Sequence, residues 1–160
     1  MIDWKIGAFP SDLNPFEKEI PKLRLPALSG GLMPALYVWR QFLVEGEKGF
    51  PSECVHGGSE PFYPPPADGS AVKTWSAQRV DAELLTTRFG VYLNRWYFSA
   101  ADQKLLGFET RLGEPNEDPV EIYFSDYRPV NGRMLPHRIQ VQYENHHYGT
   151  ITVTNYKLAQ

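Results

Sequence analysis

Cys54 and His56 are the two residues whose types and spacing come closest to a chemical site in this sequence. If they lie on a strand, side chains two positions apart point to the same side, which places a thiol beside an imidazole. Both groups are preferred zinc ligands, and a thiolate next to an imidazole can also act as a nucleophile in a small hydrolase. We therefore treat Cys54 and His56 as candidate metal ligands. Further ligands would have to come from His146, His147 or Glu60.

Each of these residues also has a simple structural explanation. An isolated cysteine is most often a small buried apolar residue. His146 and His147 follow Asn145 in a predicted turn, where polar side chains are expected in any case. The chemical hypothesis therefore requires that the thiol and the imidazoles converge in one cleft.

Acidic residues offer a second kind of chemistry, because a pair of carboxylates across a cleft can hydrolyse a glycoside. The candidates are Asp81, Glu83, Glu109, Glu121 and Asp126. They alternate with apolar residues, and Arg95 and Arg111 are predicted nearby on the polar sheet face, so cross-strand ion pairs explain them more simply. The sequence has no serine-nucleophile elbow, phosphate-binding glycine loop or zinc-protease helix. We expect no cofactor and favour a non-catalytic role.

Aromatic residues make up 14% of the chain, more than a minimal core needs. An apolar trough between a helix and a sheet could hold an acyl chain or a peptide segment. The candidate lining residues are Trp39, Trp96, Phe98, Phe108 and Tyr123. Packing of a hydrophobic core is the competing explanation for the same residues.

Length and charge limit the classes of protein to consider. With 160 residues the chain is expected to form a single domain, 1–160, with a substantial core. The net charge is −3 and the basic residues are scattered, which argues against nucleic acid as a partner. No apolar run is long enough to span a bilayer, and the first residues lack the pattern of a signal peptide. The Pro-rich start favours an excised fragment of a longer polypeptide.

The first part of the chain is predicted to form an irregular arm and a helix, which would position Trp39. Residues 1–31 contain four prolines, which prevent a long helix and favour an arm. Residues 32–46 are expected to form a helix that ends near Gly46. Its apolar residues recur at helical spacing, and these are Leu32, Leu36, Trp39 and Leu43.

Residues 51–78 are rich in glycine and proline and are predicted to be loop-rich, with only short extended pieces at 53–56 and 71–75. Gly57-Gly58 is interpreted as a turn within this stretch. Because long loops in compact domains are often functional, we expect any site to draw on these residues.

Residues 79–158 alternate apolar and polar side chains between turn signals, which is typical of a β-meander. Asn131-Gly132 is the strongest of the tight-turn signals. One face of the sheet is expected to be buried. The predicted strands are at about 79–88, 91–98, 104–112, 119–127, 135–144 and 148–158. We predict an α+β fold, in which a curved antiparallel sheet of about six or seven strands carries one main helix on its concave face.

Two stretches resemble segments of known bacterial envelope proteins. Residues 124–139, FSDYRPVNGRMLPHRI, are similar to a strand–turn–strand unit of lipoprotein carriers and outer-membrane lipoprotein-sorting proteins. Residues 96–109 resemble the hairpin that precedes this unit, and the resemblance covers roughly residues 79–158. Residues 57–63, GGSEPFY, look like a segment of C-terminal appendages of larger secreted proteins, including trypsin-like serine proteases.

The resemblance implies a half-barrel and a periplasmic or secreted location. It also implies two kinds of partner, a lipid or acyl chain and an upstream domain of the same polypeptide. The first hypothesis is therefore a non-catalytic binding or accessory domain of the bacterial envelope with an apolar groove. The alternatives are a structural domain, or a small Cys/His-dependent hydrolase or metalloenzyme.

Overall fold

The computed structural model describes residues 29–51, 53–66, 78–112, 116–144 and 146–156 of the chain. Within these ranges the chain forms one α-helix, a short 3-10 helix and seven strands. The elements are α1 (Leu32–Glu45), the 3-10 helix (Gly46–Gly49), β1 (Glu53–Phe62), β2 (Val80–Phe89), β3 (Tyr92–Ser99), β4 (Leu105–Leu112), β5 (Val120–Val130), β6 (Arg133–Tyr143) and β7 (His146–Thr152). The predicted arm at 1–31 lies, apart from residues 29–31, outside the described residues, and so does the extended piece predicted at 71–75.

The seven strands form one open antiparallel sheet in the order of the chain, from β1 to β7. This confirms the predicted α+β class and the pairing of each strand with its neighbour in sequence. The tight turn between β5 and β6 is formed by Asn131 and Gly132, whose φ angles of 49° and 79° are both positive. Two positive φ angles are typical of the type I′ hairpin turn that the Asn-Gly pair favours.

The helix begins at a turn that requires glycine. Ser29 Oγ accepts hydrogen bonds from the backbone N–H groups of Gly31 (3.3 Å) and Leu32 (3.1 Å). Gly30 has a φ of 65°, and a Cβ at this position would lie 2.1 Å from the ring of Tyr143. The turn therefore satisfies the first backbone N–H group of the helix and fixes the start of the helix against β6.

Strand β1 corrects part of the interpretation of residues 51–78 as loop-rich, because it continues beyond the extended piece predicted at 53–56 as far as Phe62. Gly57 and Gly58 do not form a turn, because the pairing of β1 with β2 continues through them with a register shift between His56 and Gly58. Gly58 has a φ of 81°, and a Cβ on Gly57 would lie 2.7 Å from Leu84 Cδ2. Glycines here make a β-bulge, and proline in the same stretch is tolerated because β1 is an edge strand.

The main hydrophobic core lies between α1 and one face of the sheet, which we call the helix-side face. Ala35, Leu36, Val38 and Trp39 contribute the helical part of this core. The sheet and the segment after the helix contribute Phe50, Tyr92, Trp96, Phe108, Leu112, Val120, Ile122, Phe124, Ile139 and Val141. The described part of the chain includes no helix with the length and apolar character needed to cross a bilayer.

The opposite face of the sheet also buries apolar side chains, which the simple alternation of strand residues did not predict. A smaller cluster there is formed by Phe62, Ala82, Leu84 and Tyr97, with Leu106 and Tyr123 packed against it. Both faces of the sheet therefore bury apolar side chains, the helix-side face many more than the other.

Candidate functional site: a cavity at one end of the sheet

A cavity of about 550 Å³ lies between the C-terminal half of α1 and one end of the helix-side face. This end of the sheet carries the turn between β3 and β4 and the turn between β5 and β6. The apolar walls are formed by Trp39, Phe42, Phe98, Leu105, Phe124, Tyr127, Leu135, Pro136 and Tyr156. The volume is within the range of about 300–1,000 Å³ that is typical of small-molecule sites.

The helix provides one wall because of the spacing of its apolar residues. Trp39, Phe42 and Leu43 are three and four positions apart, so they lie on one side of α1. The ring of Trp39 packs against Phe124 with a centroid distance of 4.8 Å, and Phe42 stacks on Trp96 at 4.5 Å. The wall is thus anchored to the core beneath it.

The hydroxyl groups in the walls are already bonded within the protein. Tyr127 donates its hydroxyl hydrogen bond to the carbonyl of Leu105, and Tyr156 donates to the carbonyl of Pro136. Burial raises the pKa of Tyr156 to about 12 and raises the pKa of Tyr127 well above its ordinary value. Both phenols are therefore neutral, and their ring surfaces face the cavity as apolar walls.

Three large apolar side chains at the mouth of the cavity are exposed to solvent. Leu43 is 46% exposed, Val44 62% and Met134 46%. Single exposed apolar residues are common on protein surfaces, but a group of them beside a cavity is typical of a binding site.

Charged groups also line the cavity. Lys104 Nζ lies 2.6 Å from Asp102 Oδ2, and this hydrogen bond holds the pKa of Asp102 below its usual value. Arg40 of α1 and Arg133 at the start of β6 complete the charged lining. The site therefore combines aromatic walls with a rim that carries more cations than anions.

The structure separates the five aromatic residues that the sequence suggested for a groove. Trp39 and Phe98 line the cavity. Trp96 and Phe108 are fully buried in the core next to it, where their rings stack at 4.6 Å. Tyr123 lies on the opposite face of the sheet, with its ring centroid 5.6 Å from that of Phe62.

Several cavity residues were missed by the sequence analysis. Met134, Leu135 and Pro136 form an apolar run almost directly after the Asn-Gly turn, where polar residues are more usual. Val44 likewise extends the apolar character of α1 beyond its predicted apolar face, and Leu43, which belongs to that face, is left exposed by the core. Both signals were present in the sequence as apolar residues in excess of the core pattern.

Cys54 and His56 lie on the edge strand β1, away from the cavity lining. His56 Nε2 is 3.1 Å from Glu83 Oε2, and Cys54 is partly buried. Burial, and secondly the negative charge of Glu47, raise the pKa of the Cys54 thiol, which disfavours the thiolate.

The suggested metal site does not assemble within the described ranges. His146 and His147 are on β7, at the other end of the strand order from β1. Among the residues that the structure describes, no three His, Cys, Asp or Glu side chains are grouped so that they could hold a metal ion.

Two acidic residues on the opposite face, Glu60 and Glu109, form ion pairs across strands, as cross-strand pairing predicts. Arg95 contacts Glu60 (Nη2–Oε1 2.6 Å) and Glu109 (Nη1–Oε2 3.6 Å). Tyr97 donates its hydroxyl hydrogen bond to Glu109 Oε1 at 2.8 Å. Glu121 lies directly across from Glu109 on β5. These contacts give the carboxylates a structural role in holding β1, β3 and β4 together.

Glu121 makes the stability of the fold dependent on pH. Burial, and secondly the charge of Glu109, raise the pKa of Glu121 from about 4.5 to about 7. The folded state holds the proton of Glu121 more tightly than the unfolded chain does. The resulting contribution to the free energy of unfolding is therefore fully present below pH 4.5 and is lost as pH rises through 7. Glu121→Gln should therefore raise Tm at pH 8, by an amount on the order of a few degrees, and leave it unchanged at pH 4.

The measurement for Glu121 is thermal unfolding followed by circular dichroism at a series of pH values. Glu144→Gln, on an exposed residue, is the matched control for removal of one negative charge. If both variants gave the same dependence of Tm on pH, the raised pKa of Glu121 would not be the cause of the change in stability.

Among the residues that the structure describes, this cavity is the feature whose geometry and lining best fit a ligand site. No protein-family model, curated protein or solved structure matches this chain. The function of the protein is therefore inferred from the residues that line the cavity and from their arrangement.

Proposed function

We propose that this protein is a non-catalytic binding domain that holds an acyl chain in the cavity between α1 and the sheet. The observation that carries the proposal is the exposure of Leu43, Val44 and Met134 at the mouth of a cavity with aromatic walls. Exposing three large apolar side chains at one place costs free energy that a ligand chain would recover by covering them.

An acyl chain fits this cavity better than a peptide does. A peptide brings amide groups that must find hydrogen-bond partners when they are buried. The hydroxyl hydrogens of Tyr127 and Tyr156 are already donated to carbonyl groups of the protein, so they are not available to the carbonyl groups of a peptide. A hydrocarbon needs no such partners, and each methylene that it buries contributes about 0.8 kcal/mol.

The proposal includes the cellular setting that the sequence suggests. We place the domain in the bacterial envelope, periplasmic or secreted, as an accessory unit beside an upstream domain of the same polypeptide. Support comes from the resemblance of residues 96–109 and 124–139 to lipoprotein carriers and lipoprotein-sorting proteins. An antiparallel sheet in chain order with one helix is compatible with the half-barrel of those proteins.

The test is calorimetric titration with neutral single-chain amphiphiles, such as alkyl maltosides of increasing chain length, below their micelle concentrations. We expect saturable binding at one site. Two added methylenes should tighten binding by about tenfold until the cavity is filled, after which affinity should level off.

Matched variants locate the binding at the cavity. Val44→Ser removes an exposed apolar residue at the mouth and should weaken binding several-fold. Val55→Ser makes the same change on β1, where the side chain is 54% exposed and does not line the cavity. Absence of saturable binding at every chain length, or an equal effect of the two variants, would contradict the proposal.

A further inference from the structure

We infer that the ligand of this cavity carries an anionic head group, which is bound at the rim by the guanidinium groups of Arg40 and Arg133. The inference rests on the proposed function, because the rim groups are arranged around the same cavity. It names the chemical class of the ligand, a single-chain amphiphile that ends in a carboxylate or a phosphate.

The charges around the cavity are opposite in sign to the net charge of the chain. The protein as a whole carries a net charge of −3. The cavity lining has three cationic side chains and one carboxylate, which leaves a net charge of plus two at this place. The one carboxylate, Asp102, is paired with Lys104 at 2.6 Å, so the excess positive charge belongs to Arg40 and Arg133.

Arg40 and Arg133 differ from the other arginines that the structure describes. The others all have interaction partners: Arg79 with Asp81, Arg88 with Glu53, Arg95 with Glu60 and Glu109, Arg128 with Asp126, and Arg111 and Arg138 with further contacts. Within the described ranges, neither Arg40 nor Arg133 has an ion pair or side-chain hydrogen bond. Among the arginines that the structure describes, the two without such a contact are thus the two that line the cavity.

The positions of the two arginines suit an amphiphile. Arg40 follows Trp39 on the helix, and Arg133 precedes Met134 on β6, so each lies beside an apolar lining residue. An acyl chain in the cavity would bring its head group to the rim, between Arg40 on the helix and Arg133 on the sheet. Guanidinium groups bind carboxylates and phosphates through two parallel hydrogen bonds, which makes arginine well suited to this role.

The experiment compares amphiphiles that share a dodecyl chain and differ only in the head group. The heads are carboxylate, phosphate, neutral maltoside and trimethylammonium, each titrated into the full chain at low ionic strength. We expect both anionic amphiphiles to bind at least tenfold more tightly than the neutral one, and the cationic one to bind more weakly than the neutral one. The preference should decrease as salt is added, because the rim is exposed.

Substitutions at the rim test which residues cause the preference. In the double variant Arg40→Gln, Arg133→Gln, the ratio of anionic to neutral affinity should fall to about one. Arg79→Gln and Arg88→Gln together make the same change in net charge at the two ends of β2, a strand that contributes no residue to the cavity lining, and this control should keep the wild-type ratio. Acetate and inorganic phosphate alone should not displace the amphiphiles at the concentrations at which the amphiphiles saturate the protein.

The outcomes separate this inference from the proposed function. Binding of the neutral amphiphile without an anionic preference, or a preference that survives in the double variant, would overturn the inference and leave the apolar site intact. If inorganic phosphate competed as strongly as the phosphate amphiphile, the dodecyl chain would contribute nothing to binding, and the assignment of an amphiphile as the ligand would be overturned. Failure of every amphiphile to bind would overturn the proposed function itself.

Discussion

Replacing Trp96 with alanine is expected to lower the free energy of unfolding by about 3–5 kcal/mol. Trp96 is fully buried, and its ring stacks on Phe42 at 4.5 Å and on Phe108 at 4.6 Å. Its Nε1 also donates a 2.8 Å hydrogen bond to Thr87 Oγ1. The substitution removes all of these contacts and leaves a space between helix and sheet that rigid neighbours cannot fill.

The measurement for Trp96 is denaturant unfolding followed by far-ultraviolet circular dichroism, which does not depend on the fluorescence of the lost indole. Trp96→Phe keeps a ring in the stack and loses the hydrogen bond to Thr87, so its expected cost is smaller, about 1–2 kcal/mol. A loss below 1 kcal/mol for the alanine variant would mean that Trp96 is not central to the core. Because Phe42 also lines the cavity, Trp96→Ala should weaken amphiphile binding as well.

Replacing Gly107 with alanine is expected to destabilise the fold by about 2–3 kcal/mol although it adds only one methyl group. A Cβ on Gly107 would lie 2.5 Å from the backbone oxygen of Ile122 and 3.1 Å from Phe62 Cζ. The first of these atoms belongs to the backbone of the paired strand β5, which cannot move without breaking the ladder between β4 and β5. The strain therefore cannot be relieved by a small movement of a flexible side chain.

Gly149 is the matched control for Gly107, because it is also a strand glycine. Nothing lies within 4 Å of a Cβ built on Gly149, and its φ is not positive. Gly149→Ala should leave stability unchanged or raise it by up to about 1 kcal/mol, through lower entropy of the unfolded chain. Equal effects of the two alanine substitutions in denaturant unfolding would show that the close contact with the Ile122 backbone oxygen does not cause the loss of stability.

The proposed site has a clear division between parts that stabilise the fold and parts that contact a ligand. Trp96 and Phe108 lie in the core beneath the cavity, whereas Leu43, Val44 and Met134 are exposed at its mouth. Substitutions in the first group should therefore change stability and binding together. Substitutions in the second group should change binding with little loss of stability, which makes them the better test of function.

Local patterns in the sequence were sufficient to predict most of the elements. Asn131-Gly132 predicted the β5–β6 turn because few residue pairs adopt two positive φ angles in succession. The alternation of Val120, Ile122 and Phe124 predicted their common face, since strand side chains point alternately to the two sides. The same alternation places Tyr123 on the opposite face, so its assignment to a groove on the helix side was avoidable.

The sequence predicted an extended piece at 53–56, but the continuation of β1 through residues 57–62 could not be predicted from local pattern, because its pairing is non-local. Gly57-Gly58 has the composition of a turn, and only the partner strand shows that these residues form a bulge opposite Leu84. Pro61 reads as a strand breaker unless β1 is known to be an edge.

The cavity itself was decided by tertiary structure. The sequence predicted an apolar helix face and an aromatic-rich sheet, and it identified Trp39 and Phe98 among their residues. It could not show that Phe42 covers Trp96 while Phe98 is left beside open space, because that depends on where the helix crosses the sheet. Periodicity specifies which side of an element is apolar, whereas the gap between two apolar faces depends on contacts between residues far apart in the chain, such as Trp39 and Phe124.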